Sequence, residues 1–181
     1  MAKIKRIILG VTGSIAAYRS ADLTRELSQK GFKVSVVMTE EAEQFITPLT
    51  LSALSGEPVY GGLFDKNFEA PPMPHIKLAK EADLILIAPA TANMIGKLAC
   101  GIADSLLACI VLATKAPIVI VPAMNSDMYA NNIVQENCRK LKAHGMIFVD
   151  PIKGKLACGT IGDGHIADEA AIIKAVVREL K

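Results

Sequence analysis

Asn125 lies in the stretch Pro-Ala-Met-Asn-Ser-Asp-Met-Tyr at positions 122–129, directly after the uncharged, β-branched run 118–121. Such a run reads as a strand buried on both faces, and Pro122, which has no amide hydrogen, ends its ladder. Asn125, flanked by Met124 and Met128, therefore stands at a strand's C-terminal edge, where open parallel α/β sheets bind ligands. The same Asn equally suits the cap of the helix that follows. Two hydroxyls form a second candidate: Ser14 in the turn Gly10-Val11-Thr12-Gly13-Ser14, and Thr39 at the end of the next strand. Backbone amides and a hydroxyl at a helix N-terminus favour a phosphate, although a turn with no ligand fits the residues as well. His75 follows the run Pro71-Pro72-Met73-Pro74, and its imidazole can move a proton near neutrality or simply be solvated. Cys158 sits in Lys155-Leu156-Ala157-Cys158-Gly159, a thiol in a polar, glycine-rich loop rather than a core.

The elements that must position these groups alternate strand and helix. Residues 4–11 read as a strand, 15–30 as a helix closed by Gly31, and 33–38 as a second strand. A strand, glycine turn, helix and strand within about 35 residues make a βαβ unit, so the sheet is parallel. A short helix over 47–55 ends at Gly56, and 57–74 reads as a long loop with Gly61-Gly62 and the proline run. The third strand, 84–88, runs into Pro89-Ala90-Thr91-Ala92-Asn93, where small residues let a flat ring approach the backbone. Helices over 91–99 and 105–113 precede the strand that feeds Asn125. A helix over 133–144, a fifth strand over 146–149, a mobile polar segment over 150–164 and a helix over 168–180 capped by Asp168 complete the chain. The expected fold is α/β and flavodoxin- or Rossmann-like, in three layers around a parallel sheet of five or six strands. It forms a single domain over 1–181.

Composition narrows the function. The chain is 51% hydrophobic and 21% charged, with a formal net charge of +2. Its Lys and Arg are scattered and it has three Tyr, five Phe and no Trp, so no basic, aromatic-interleaved surface for nucleic acid is visible. No apolar run reaches the ~20 residues that span a bilayer, and the N-terminus leads into a strand rather than a signal peptide, which points to the cytoplasm and no membrane. Cys100, Cys109, Cys138 and Cys158 contain no Cys-x-x-Cys pair and match no common zinc spacing, and the first three fall in helical patterns. A nicotinamide dinucleotide is disfavoured, because the turn reads Gly-x-x-Gly-x-x-Ala and the second strand ends in Thr39 where an acidic residue is wanted. Glu40 next door leaves that exclusion incomplete.

With Gly13-Ser14-Ile15-Ala16-Ala17, Pro89-Ala90-Thr91-Ala92-Asn93, His75, the 122–129 motif and Ala157-Cys158-Gly159 in hand, the chain resembles the flavin-dependent cysteine decarboxylase family over nearly its whole length. Within it, the resemblance is to the branch that acts on phosphopantothenoylcysteine in coenzyme A biosynthesis. The resemblance implies FMN as cofactor, held by Gly13, Ser14, Thr39, Ala90, Thr91, Asn93, Ala123 and Met124. It implies His75, Asn125 and Cys158 as catalytic groups, with Asn125, Met128, Ala157 and Gly159 against the substrate. It further implies a homotrimer or dodecamer with sites between subunits, and a phosphopantothenoylcysteine synthetase domain or protein as a partner. A carboxylate next to an ordinary carbon cannot leave, because its electrons have nowhere to go. Prior oxidation of the thiol carbon to a thioaldehyde provides the electron sink, with His75 taking the thiol proton and Cys158 supplying one at the end. Where the family loop continues Gly-x-Gly-Arg, this chain has Gly162-Asp163-Gly164-His165, and a protonated His165 offers a partial substitute. The rival readings are a peptide C-terminal cysteine as substrate, a flavin prenyl transfer, a non-catalytic regulatory subunit and a nicotinamide-dependent dehydrogenase. The presence of His75, Asn125 and Cys158 in one chain disfavours the regulatory role.

Overall fold

The structure is a computed structural model that describes residues 4–63, 73–155, 159 and 161–181. Five parallel strands form its centre: β1 (Arg6–Val11), β2 (Lys33–Met38), β3 (Leu84–Ala90), β4 (Ile118–Pro122) and β5 (Ile147–Phe148). Their order across the sheet is β2-β1-β3-β4-β5. All seven residues of β3 are buried, as a central strand covered on both faces requires. Alternate residues feed opposite layers, because successive side chains of a strand point to opposite faces. Ile7, Leu9, Leu84, Leu86, Val119 and Val121 belong to one core, while Ile8, Ile85, Ile87 and Ile120 belong to the other.

The first core is covered by α1 (Arg19–Gln29), α2 (Pro48–Ser55) and α8 (Glu169–Glu179). The second lies under α3 (Pro74–Glu81), α4 (Ala92–Cys100), α5 (Leu106–Ala113) and α7 (Asn132–Ala143). The three-layer α/β reading therefore holds, with five strands in the parallel sheet. Among the described residues, no helix is long and apolar enough to cross a membrane.

Three local expectations are corrected. The helix over 15–30 begins as a 3-10 turn, Ile15–Tyr18, with Ser14 accepting from the Ala16 amide, and becomes α1 only at Arg19. An unexpected helix, α3, opens at Pro74 where the long loop ends, and it carries His75; proline suits a first helical position, where its missing N–H has no partner to lose. Tyr60 also bridges to Val37 alongside β2. Finally, within the segment expected to be mobile, residues 152–155 and 161–165 form the antiparallel pair β6 (Ile152–Lys155) and β7 (Ile161–His165), while 156–158 and 160 lie outside the described residues. Its glycines disguise the pattern but permit the packing: a Cβ on Gly164 would strike the Met124 carbonyl, and one on Gly162 would approach Ser126 Cβ at 2.7 Å.

Candidate functional site

The order β2-β1-β3 contains the point where the chain reverses its direction of progress across the sheet, between β1 and β3. Strand connections leave in opposite directions there, which opens a crevice outside the carboxyl ends. A cavity of about 1080 Å³ occupies this position. Its size exceeds the ~300–1,000 Å³ usual for small-molecule pockets, so there is room for more than one small ligand.

Thr12 locks the crevice floor. Its hydroxyl donates to the Pro89 carbonyl at 2.8 Å and accepts from the Thr91 amide at 3.0 Å, which ties the tips of β1 and β3 together. Ser14 ties the same turn to β4: its Oγ donates to the Ala123 carbonyl at 3.2 Å and accepts from the Ala16 amide at 3.3 Å. Gly13 is required between them, because a Cβ there would collide with Glu41 Cβ. Thr39 reaches the same wall from β2. Its Oγ1 is buried and has no hydrogen-bond partner among the described residues. A buried hydroxyl left without a partner is costly, so Thr39 marks a place on the cavity wall where the fold leaves hydrogen-bonding capacity unused.

On the opposite side, Asn125 ends the β4 turn and caps the short helix α6 (Ser126–Ala130). Its Oδ1 accepts from the Asp127 amide at 2.8 Å and from the Met128 amide at 3.3 Å. Capping and lining the cavity are thus compatible: the cap fixes the side-chain amide plane at the wall. The hairpin packs onto this turn, with the Met124 amide donating to the Gly164 carbonyl at 3.1 Å. That contact brings His165 to the wall. A carbonyl can only accept, so the 2.9 Å contact between His165 Nδ1 and the Ile166 carbonyl places a proton on Nδ1.

Of the residues expected to hold a cofactor or substrate, Gly13, Ser14, Thr39, Thr91, Asn93, Ala123, Met124, Asn125 and Met128 line this one cavity. Ala90 does not: it is fully buried in β3, where its carbonyl accepts from the Ala123 amide at 3.1 Å. His75 lies in the first turn of α3, apart from the wall of its own chain's cavity, and its Nδ1 is buried without a partner among the described residues. Ala157 and Cys158 lie outside the described residues, and Gly159 is exposed with φ +89°.

Sequence reasoning missed other wall residues, among them Glu41, Lys97, Asp104 and Leu107. Lys97 follows Asn93 by four positions, which puts both on one face of a helix, and that spacing was available as a signal. Among the described residues no group of three His, Cys, Asp or Glu side chains is arranged to hold a metal ion.

The chain matches the Flavoprotein family over residues 1–181. It is 50% identical over 169 residues to the coenzyme A biosynthesis bifunctional protein CoaBC of Vibrio vulnificus, covering 93% of this chain and 42% of that protein. The chain therefore spans less than half the length of such relatives. It is 45% identical to a probable phosphopantothenoylcysteine decarboxylase of Streptococcus mutans, covering 97% of this chain and 99% of that one. Among solved structures, the FMN-dependent cysteine decarboxylase SpaF superposes with a TM-score of 0.79 at 31% identity, covering 95% of this chain and 97% of that one.

Proposed function

This chain belongs to the flavoprotein family, and from that premise we propose that it is an FMN-dependent carboxy-lyase that converts phosphopantothenoylcysteine to phosphopantetheine. The observation that carries the proposal is a single cavity at the β1/β3 switch point. It has an unpartnered Thr39 hydroxyl and the Ser14 turn on one side, and the Asn125 amide on the other. Thr39 and the turn at Gly13 and Ser14 suit the FMN phosphate. Thr91, Asn93, Ala123 and Met124 line the space left for its ring. Bound there, FMN supplies reversible two-electron chemistry.

The chain's own residues do the rest. Asn125, with Oδ1 held by the α6 cap, presents its N–H side to the substrate carboxylate and orients it without adding a positive charge that would oppose its departure. Met128, with Ala157 and Gly159, is assigned to the substrate. His75 takes the thiol proton, and Cys158 returns a proton to the product. Since His75 is away from its own chain's cavity, we assign it to a neighbouring copy's site, in a homotrimer or a dodecamer built from trimers. Exposed Ile15, Tyr18, Phe45, Leu49 and Met73 supply apolar surface for such contacts. The single decarboxylase domain over 1–181 works with a phosphopantothenoylcysteine synthetase, as a further domain or a separate protein, in the cytoplasm.

The test is carbon dioxide release from phosphopantothenoylcysteine and, separately, from a peptide ending in cysteine. Release from the first alone is expected; release from the peptide alone would overturn the substrate assignment. Cys158→Ser should still release carbon dioxide and accumulate the unreduced enethiol product, because serine is a far weaker acid than a thiol. Normal formation of the saturated product by that variant would remove Cys158 from the chemistry.

A further inference from the structure

Lys97 is the only Lys or Arg among the described residues that line the cavity, and it is paired there with the carboxylate of Asp104. Its position is well fixed. On α4, Met94, Ile95 and Leu98 are buried, which presents Asn93, Met94 and Lys97 along the cavity side. The Lys97 carbonyl accepts from the Ile102 amide at 2.9 Å as the helix ends, and Ser105 then caps α5 by accepting from the Ala108 amide at 3.3 Å. The intervening turn holds Asp104, whose Oδ2 lies 2.8 Å from Lys97 Nζ; the lysine side chain is 25% exposed and the aspartate 51%.

Resting on the assignment of FMN to this cavity, we propose that Lys97 is a positioning and tuning residue. Its charge favours the reduced flavin over the oxidised form, and Asp104 restrains that bias. Ser14 and Thr39 reach the cavity from the ends of β1 and β2, whereas Lys97 approaches from the helix after β3, across the switch point. It therefore faces the ring side rather than the phosphate side. Uptake of a hydride adds one negative charge to the ring system and leaves the phosphate unchanged. A cation near the ring, partly shielded from water, interacts with that added charge, and a carboxylate paired with the cation offsets part of the interaction.

The competing account is that the ion pair only staples the turn between α4 and α5. Under that account, losing either partner breaks the same contact and has the same sign of effect. Under the tuning account the two losses have opposite signs.

The experiment is an anaerobic reductive titration of the FMN-loaded protein with dithionite against a reference dye, together with FMN affinity from fluorescence quenching. Lys97→Met is expected to lower the affinity ratio of reduced to oxidised FMN about tenfold, which lowers the midpoint potential by about 30 mV for a two-electron couple. Asp104→Asn, at the more exposed partner, is expected to raise the ratio about threefold, or about 15 mV upward. Lys97→Arg should stay close to the parent. If the parent protein binds no FMN, the cofactor assignment fails and this proposal fails with it. If FMN binds but both variants shift the potential in one direction, or neither does, the pair is a staple and the proposal alone is wrong. Should Lys97→Met not fold, the upward shift in Asp104→Asn decides the matter, since that side chain is half exposed and its replacement is nearly isosteric.

Discussion

The two ends of the same parallel strands are built on opposite terms. At the N-terminal edge, the Arg6 amide donates to Asp83 at 2.8 Å, and its guanidinium donates to Ser35 Oγ at 2.7 Å and lies 3.6 Å from Glu81. Lys33 meets Glu57 at 2.9 Å beside it. These charges are matched to one another within the protein. At the C-terminal edge, Thr39 keeps a buried hydroxyl without a partner among the described residues, and the cavity wall carries one lysine, paired with Asp104, beside the further acidic residues Glu40 and Glu41. The strands between them are the same Ile, Leu and Val in both directions, so the core does not distinguish the two ends. The function proposed above uses the C-terminal end, where the cavity lies.

The comparison breaks most visibly at Ser14. Ser14→Glu places a carboxylate where the FMN phosphate is assigned and removes the hydroxyl that bridges to the Ala123 carbonyl. FMN affinity should fall at least about a hundredfold, or about 2.7 kcal/mol. Fluorescence quenching of added FMN measures it directly. Binding within about threefold of the parent would remove the phosphate from this turn.

Arg6→Met attacks the opposite edge. Removing one member of a partly buried charge cluster leaves Glu57 and Glu81 without their shared cation. The Arg6 side chain is 20% exposed, so solvent screens part of the loss. A destabilisation of about 1–3 kcal/mol is expected in denaturant unfolding. FMN affinity should not change. A parallel loss of affinity would show that the two edges are coupled through the strands.

The contrast also explains what the sequence made visible. Strands were legible wherever burial on both faces demands an unbroken apolar run: Lys33–Met38 is found at its predicted bounds. Ser14, Thr39 and Asn125 were legible because each follows such a run at a strand end. The hairpin was not, since Lys153-Gly154-Lys155 and Gly162-Asp163-Gly164 show no apolar alternation, and its pairing depends on docking against Met124 and Ser126. Thr12 was missed for a related reason. Its two bonds join positions 77 and 79 residues apart, and no local pattern announces such a clamp. The pairing of Lys97 with Asp104 likewise needs the turn between two helices to be in place before it means anything.

The smallest effect concerns a paired cluster on the flank of the C-terminal edge, where the contrast predicts a contribution to stability and none to binding. Tyr129, on α6, lies 3.4 Å from Asp150 Oδ1, which also receives Lys142 Nζ at 3.1 Å. Burial, with the Asp150 charge adding to it, raises the Tyr129 phenol from 10.0 to about 12. In the unfolded chain the proton leaves near pH 10, whereas the folded protein retains it until about pH 12. Between those values the folded state binds more protons, so the stability present below pH 10 declines as pH rises through about 12. Burial raises Tyr60 and Cys138 as well, so the wild-type slope in alkali contains all three. Tyr129→Phe should flatten that slope without abolishing it, and the difference between the two curves isolates the one phenol. Denaturant midpoints by circular dichroism across pH 9 to 11.5, the window set by the Tyr129 shift, provide the measurement. FMN affinity at neutral pH should be unchanged, because Tyr129 is not among the residues on the cavity wall. A variant whose alkaline slope equals that of the parent would show that Tyr129 is as accessible to solvent in the fold as outside it. A variant that lost FMN affinity instead would move Tyr129, and the Asp150 and Lys142 pair behind it, from the matched side of the comparison to the unmatched one.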